Sequence, residues 1–345
     1  MIRFFLTRAV PALTMLLAPF AAPAQTVPLP VLKTSQLSVS GLSAGGFMAV
    51  QFDVAYSASV IGAGIVAGGP YYCAHGSVLT AISTCSCTGL GLCRVAPGGT
   101  GVADLIAATS RNAASGAIDP TARLASHRIW MFSGTADTLV PPAVMGDLET
   151  YYRNYIPSAQ IRFKRDLKAQ HAMPTDFYGN ACTTLNSPYI SNCAYDAAGE
   201  LLQWIYGGLA QKTGNTPAGA FIQFDQSEFL PNPASHGMAA TGYLYVPPGC
   251  DGDAAQCRLH VVFHGCKQDA ANIGDTYVRK AGYNGWADAN RIVILYPQAT
   301  STLMNPNACW DWWAYDDANY ALKKGRQMQA VKRMTERLTG TAPRP

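Results

Sequence analysis

An α/β fold with a mostly parallel central sheet is what this sequence predicts, on three observations. Short β-branched apolar runs alternate along the chain with segments of helical composition. A serine flanked by glycines stands where one such run meets one such segment. The chain of 345 residues is 49% apolar and 13% charged, enough to bury a large core.

Leu37–Ser40 reads as a short strand entering Gly41, and Ala44–Ala55 is helical and free of proline. Val60–Ala67, Arg128–Ser133 and Ile161–Asp166 read as strands, and Glu200–Leu209 as a helix. Phe221–Phe224 and Gly242–Val246 read as strands, as does Leu259–Phe263 with β-branched Val261 and Val262. Thr276–Asn290 reads as one helix, Arg291–Tyr296 as a strand, and Gln327–Leu338 as an amphipathic helix with a basic outer face. Lys212–Gly219 is a Gly/Pro loop inside one domain, and no internal repeat interrupts the chain.

Residues 1–24 read as an export signal. Arg3 and Arg8 precede an apolar stretch, Ala9–Ala22, and Ala22-Pro23-Ala24 offers a small-x-small cleavage pattern. The stretch is short and broken by Pro11 and Pro19, so it is not read as a membrane span. Residues 25–345 are then expected to form a single catalytic domain. The net charge of +4 comes without a basic block or a basic–aromatic stripe, so nucleic acid is not an expected partner.

All ten cysteines follow residue 24, and an even count in an exported chain reads as disulfides rather than a metal site. Cys182 with Cys193 and Cys250 with Cys257 are local pairs; Cys73, Cys85, Cys87 and Cys93 supply two more bridges in one loop region. Cys266 and Cys309 remain as a long-range pair.

The chemistry begins at Gly41-Leu42-Ser43-Ala44-Gly45. In G-x-S-x-G the serine occupies a sharp strand-to-helix turn, and side chains two positions away would collide with strand and helix. The following helix aims its N-terminus at developing negative charge. Such a nucleophile needs a base and a carboxylate to orient it, on loops after later strands. Asp137 follows strand Arg128–Ser133 and is the candidate acid, with Asp147 and Asp166 as weaker rivals. His171 follows strand Ile161–Asp166 and is the candidate base; His236 is a rival, while His75 and His127 sit poorly in the order.

In ordinary α/β-hydrolases several strands and a His-Gly oxyanion motif precede the nucleophile. Here Ser43 comes too early, and strand Leu259–Phe263 ends instead in His264-Gly265-Cys266. Moving this later half ahead of Leu37 restores the order, so the expected fold is a circularly permuted α/β-hydrolase. The backbone N–H groups of Ala44 and Cys266 would hold the oxyanion, and His264 would be structural. A Cys266–Cys309 bridge would tie this loop to the Trp-rich segment.

GLSAGG at Ser43, GTADTLV at Asp137, the loop at His171, VVFHGCKQ at His264 and ACWDWW at residues 308–313 span nearly the whole chain after residue 24. As an ordered set they resemble the poly(3-hydroxybutyrate) depolymerase family, in the branch with an early lipase box and a permuted hydrolase fold. The resemblance implies a Ser43–His171–Asp137 triad, oxyanion amides from Ala44 and Cys266, and Trp310 lining a hydroxybutyrate subsite. It implies a polyester or oligoester partner, no cofactor and no metal. No linker or substrate-binding domain is expected after the catalytic region, an expectation that points to amorphous polymer, oligomers or a soluble ester. Feruloyl and acetylxylan esterases use the same machinery, and an exported binding protein with an inactive serine is the contrasting class.

Overall fold

The structure is a computed structural model and describes residues 1–2 and 26–341, apart from 90, 92, 213, 215 and 253–255. The export-signal reading therefore lies outside the described residues, save for Met1 and Ile2.

The apolar runs form strands β1 (Ser35–Leu42), β2 (Gly62–Val66), β3 (Arg128–Phe132) and β4 (Ile161–Lys164) in the first half of the chain. Three very short strands follow: β5 (Met173–Thr175), β6 (Asn180–Ala181) and β7 (Ile190–Asn192). The second half supplies β8 (Ala220–Asp225), β9 (Thr241–Val246), β10 (Arg258–Phe263) and β11 (Ile292–Tyr296). The main sheet runs β4-β3-β2-β1-β10-β11-β9-β8, and only β9 is antiparallel to its neighbours.

The permutation can be read from this order. If β8, β9, β10 and β11 are counted first, the antiparallel strand becomes the second and β1, which leads to Ser43, becomes the fifth. The serine strand lies in the middle of the sheet between β2 and β10, although β10 comes more than two hundred residues later. That is the α/β-hydrolase arrangement with its chain ends relocated.

Central strands β2 and β11 are buried along their whole length, as parallel strands covered on both faces must be. On one face Val39, Ile65 and Val261 pack against helices α1 (Ala44–Ala55), α3 (Val102–Ala114), α4 (Pro142–Arg153) and α9 (Arg326–Thr339); a short helix α2 (Val78–Ser83) lies before α3. On the other face Leu42, Trp130 and Ile294 pack against α5 (Ala197–Tyr206), and past the short α6 (Ala270–Ile273) come α7 (Thr276–Lys280) and α8 (Tyr283–Asn290) on that same face. In α9, Met328, Val331, Met334 and Leu338 recur at helical spacing on the buried side, as its amphipathic pattern requires.

The single helix expected over Thr276–Asn290 is instead two. Gly282 has φ +98°, outside helical space, and stands against Ala198 of α5, so α7 ends and α8 restarts there.

The cysteines pair as Cys73–Cys85, Cys87–Cys93, Cys182–Cys193, Cys250–Cys257 and Cys266–Cys309. Bridges of this number belong to an oxidising environment. Among the described residues no helix is long and apolar enough to cross a membrane.

Candidate active site

Ser43 joins β1 to α1 with φ +59° and ψ −123°, a region that non-glycine residues occupy at a cost of about 1–3 kcal/mol. Its N–H bonds the carbonyl of Val66 at the end of β2 (2.9 Å), and its carbonyl accepts from Phe47 (3.0 Å), so strand and helix grip the turn from both sides. The two flanking glycines are there for space. A Cβ on Gly41 would lie 2.1 Å from the carbonyl oxygen of Gly45, and one on Gly45 would lie 2.2 Å from that of Phe263 and 2.5 Å from that of His264. Gly45 thus lets the serine turn approach the end of β10. Gly45→Ala is expected to lower stability by about 3 kcal/mol, because two backbone segments must separate. Chemical denaturation of variant and wild type checks this.

Asp137 and His171 lie on adjacent loops, after β3 and β4. Backbone bonds from Thr135 N–H to Leu167 O (2.9 Å) and Ala136 N–H to Ala169 O (3.1 Å) join the two loops. Asp137 Oδ1 accepts the N–H groups of Leu139 (2.9 Å) and Val140 (2.8 Å), which leaves Oδ2 for His171 Nδ1 at 2.8 Å. Both residues are buried.

The His264-Gly265-Cys266 loop leaves the end of β10 alongside the serine turn. His264 is fully buried, and Nε2 accepts the N–H of Ala299 (3.0 Å), so Nδ1 carries the proton and donates to Gly265 O (2.7 Å). Burial holds its pKa below the ordinary histidine value, and the ring stays neutral. Both of its ring nitrogens are thus occupied within the fold, as the structural reading of His264 expects. The Cys266–Cys309 bridge fastens the loop to the Trp-rich segment, and Lys267 N–H bonds Asn307 O at 2.7 Å.

Ser43, Ala44, His171 and Cys266 line one cavity of about 440 Å³, walled largely by apolar side chains. Met304, 70% exposed, and Val78, 55% exposed, make its rim apolar as well.

Comparison with known proteins gives a consistent answer. No family model matches the chain. It is 50% identical over 326 residues to the poly(3-hydroxybutyrate) depolymerase of Delftia acidovorans, an alignment covering 92% of this chain and 63% of that one. It is 40% identical over 312 residues to the polyhydroxybutyrate depolymerase of Talaromyces funiculosus, covering 86% and 87%. This chain belongs to the poly(3-hydroxybutyrate) depolymerase family. It spans somewhat less than two thirds of the Delftia relative. Two solved structures agree, each with a TM-score of 0.82 and covering 92% of this chain and 100% of theirs. One is PHB depolymerase from Penicillium funiculosum, 38% identical; the other is a serine-to-alanine PHB depolymerase complexed with an R3HB trimer, 37% identical.

Against this depolymerase frame, the rival residues find other employment. Asp147, buried within α4, accepts from Gly98 N–H, Thr100 N–H and Thr100 Oγ1. Asp166 is exposed and pairs with Lys164 at 2.8 Å. His127 forms its own buried pair with Asp53 (2.8 Å), but Ser57 O takes its second nitrogen. Burial opposes its charge, yet the attraction and hydrogen bond of Asp53, with the Ser57 carbonyl, lift its pKa above the ordinary value. His236 pairs with Asp316 at 2.9 Å, and His75 packs edge-on against Tyr72; neither lines the cavity.

Trp310, expected at the hydroxybutyrate subsite, is not among the residues that line this cavity. Trp310 is fully buried, and its indole N–H donates to His264 O at 3.0 Å, so it props the loop from beneath. Trp312 and Trp313 line the cavity instead, with Trp312 stacked on Phe47 at 3.9 Å between ring centroids.

Sequence reasoning misses Gln268, although it ends the VVFHGCKQ run. It is buried, its Oε1 accepts Gly265 N–H (2.7 Å), and its Nε2 donates to Pro188 O (2.9 Å) and Tyr189 O (3.0 Å). It therefore clamps the loop carrying Cys266 to the segment before β7. Gln268→Leu takes this partner from Gly265 N–H and Pro188 O, while Tyr189 O keeps the N–H of Met173 at 2.9 Å, and is expected to lower kcat about 10–100-fold with a smaller change in KM. Steady-state kinetics on an aryl ester checks the split.

Proposed function

We propose that this chain is a serine esterase that hydrolyses poly(3-hydroxybutyrate) or its oligomers through Ser43, His171 and Asp137. The observation that carries the reading is one apolar cavity lined by a strained serine and by a histidine already bonded to a buried carboxylate. Family membership supports the substrate class, and the R3HB trimer bound by the solved relative supports an oligoester in this cavity.

Asp137 holds Nδ1–H of His171, so Nε2 is the nitrogen left to take the proton of Ser43 Oγ. Oγ attacks the ester carbonyl, and the oxyanion is held by the backbone N–H groups of Ala44 and Cys266. Ala44 opens helix α1, where first-turn amides have no intrahelical acceptor. Each such donor is worth about 3–4 kcal/mol to the rate. The ester C–O bond breaks, and the departing alkoxide takes the proton from Nε2. A water then gives a proton to Nε2 and attacks the acyl carbon; Ser43 leaves with that proton and the hydroxy acid is freed. An apolar rim and stacked aromatic walls suit a polyester better than a hydrated polysaccharide. We read the chain as an exported enzyme with one catalytic domain, working in the periplasm or the external medium.

The test is acid release from an amorphous poly(3-hydroxybutyrate) suspension and from the (R)-3-hydroxybutyrate trimer, beside an aryl ester, a feruloyl ester and acetylated xylan. Release from polymer or trimer is the expected result. Cleavage of the feruloyl or acetyl substrates alone would replace the polyester by a plant polysaccharide ester. Failure on every ester, with no labelling of Ser43 by a fluorophosphonate, would leave a binding protein.

A further inference from the structure

Among the described residues the cavity wall carries no aspartate or glutamate, and apart from the proposed base His171 its one basic side chain is Lys267. Lys267 has no carboxylate partner among those residues. Its backbone is held on every side: Cys266 before it is bridged to Cys309, its own N–H bonds Asn307 O at 2.7 Å, and Gln268 after it is clamped by three hydrogen bonds. It stands at φ +59°, where glycine or asparagine is the cheap occupant, while its side chain remains exposed. A cation is thus fixed at its root beside the oxyanion loop of an otherwise neutral, apolar cavity.

On the reading that the substrate is a hydroxyalkanoate ester, we propose that Lys267 recognises the free carboxylate at the end of an oligomer and so sets the enzyme to cut near that end. The chemistry of the chain gives the direction. When Ser43 takes the acyl part, the fragment that leaves as an alcohol is the one bearing the carboxyl terminus. Its carboxylate is the only charge on the substrate, and Lys267 follows directly on the residue whose amide faces the scissile carbonyl. Apolar walls nearby weaken solvent screening of the pair, while the exposed side of the lysine keeps it salt-sensitive. Interior bonds of a long polymer present no carboxylate within reach, so Lys267 favours short oligomers over polymer without touching the chemical step.

The experiment compares the (R)-3-hydroxybutyrate trimer as free acid and as methyl ester, in wild type, Lys267→Met and Lys267→Arg. The readout is the ratio of kcat/KM for acid over ester, which cancels differences in folding and in active fraction. Lys267→Met is expected to lower this ratio about three- to fivefold, the scale of a solvent-facing ion pair. Lys267→Arg is expected to keep it, and added salt to shrink it wherever the cation is present but not in Lys267→Met. An equal ratio in all three proteins, with both trimers cleaved, overturns the carboxylate role and leaves the polyester reading standing. Cleavage of an aryl ester but of neither trimer overturns the polyester reading, and the carboxylate role with it.

Discussion

Ser43→Ala is expected to cut turnover of any accepted ester by about 10⁵–10⁶-fold, with binding largely kept. On the proposed mechanism the residue removed is the one whose oxygen forms the acyl bond, and the remaining oxyanion donors would give only a small residual rate. Hydroxybutyrate release from amorphous polymer and loss of fluorophosphonate labelling both read the effect. Stability adds a second handle. The alanine of this variant would inherit the backbone angles of Ser43, φ +59° and ψ −123°, and with them the strain. Ser43→Gly would escape it, and is expected to be about 1 kcal/mol more stable than Ser43→Ala after the extra unfolded-state entropy of glycine is counted. Denaturant midpoints of the two inactive variants check the ordering. Equal midpoints would mean that the serine turn is relaxed, and that placement rather than strain exposes the oxygen.

Much of this frame is legible in the residues because local pattern and global fold agree. β2 and β11 carry no charged residue, and β10 is apolar apart from Arg258 and His260, since helices cover both faces of the sheet there. The early serine box and late His-Gly loop imply a permuted order, and β10 does pair with β1. What stays hidden depends on tertiary contacts. Trp310, Trp312 and Trp313 lie in a loop with no periodicity, so sequence spacing cannot say which of them faces the cavity. The acceptor that draws Trp310 inward is His264 O, dozens of residues away. Strands β5, β6 and β7 have two or three residues each, too few for an alternating pattern, yet they build the segment after His171. The break at Gly282 does leave a signal, an isolated glycine within a helical pattern, which the single-helix reading overlooks. Four cysteines within Cys73–Cys93 admit three pairings; the fold selects Cys73–Cys85 and Cys87–Cys93 by where α2 places them.

Asp137→Asn is expected to lower kcat about 10⁴-fold while leaving the fold nearly intact. The reason lies in which atom each hydrogen bond can accept. Oδ1 of Asp137 receives two backbone N–H groups, from Leu139 and Val140, and only an oxygen can serve there. In the asparagine variant the amide oxygen stays on those donors, so the NH₂ group is turned toward His171. Nδ1 of His171 must then accept, and the ring proton moves to Nε2. A histidine protonated at Nε2 cannot take the proton of Ser43, and the variant fails through the wrong tautomer rather than through lost geometry. The alternative orientation, with the amide oxygen on His171, would set NH₂ against two N–H donors in a buried site. That clash is the more costly of the two. The loss should therefore appear in kcat with little change in KM, and it should be larger than that of Gln268→Leu, which in the proposed mechanism disturbs one oxyanion donor but leaves the proton relay whole. A pH–rate profile separates the causes. If activity in Asp137→Asn recovered steeply as pH rose, hydroxide or an ionised Ser43 would be bypassing the base. A loss below tenfold at neutral pH would show that His171 finds its tautomer without Asp137, and that another group orients it.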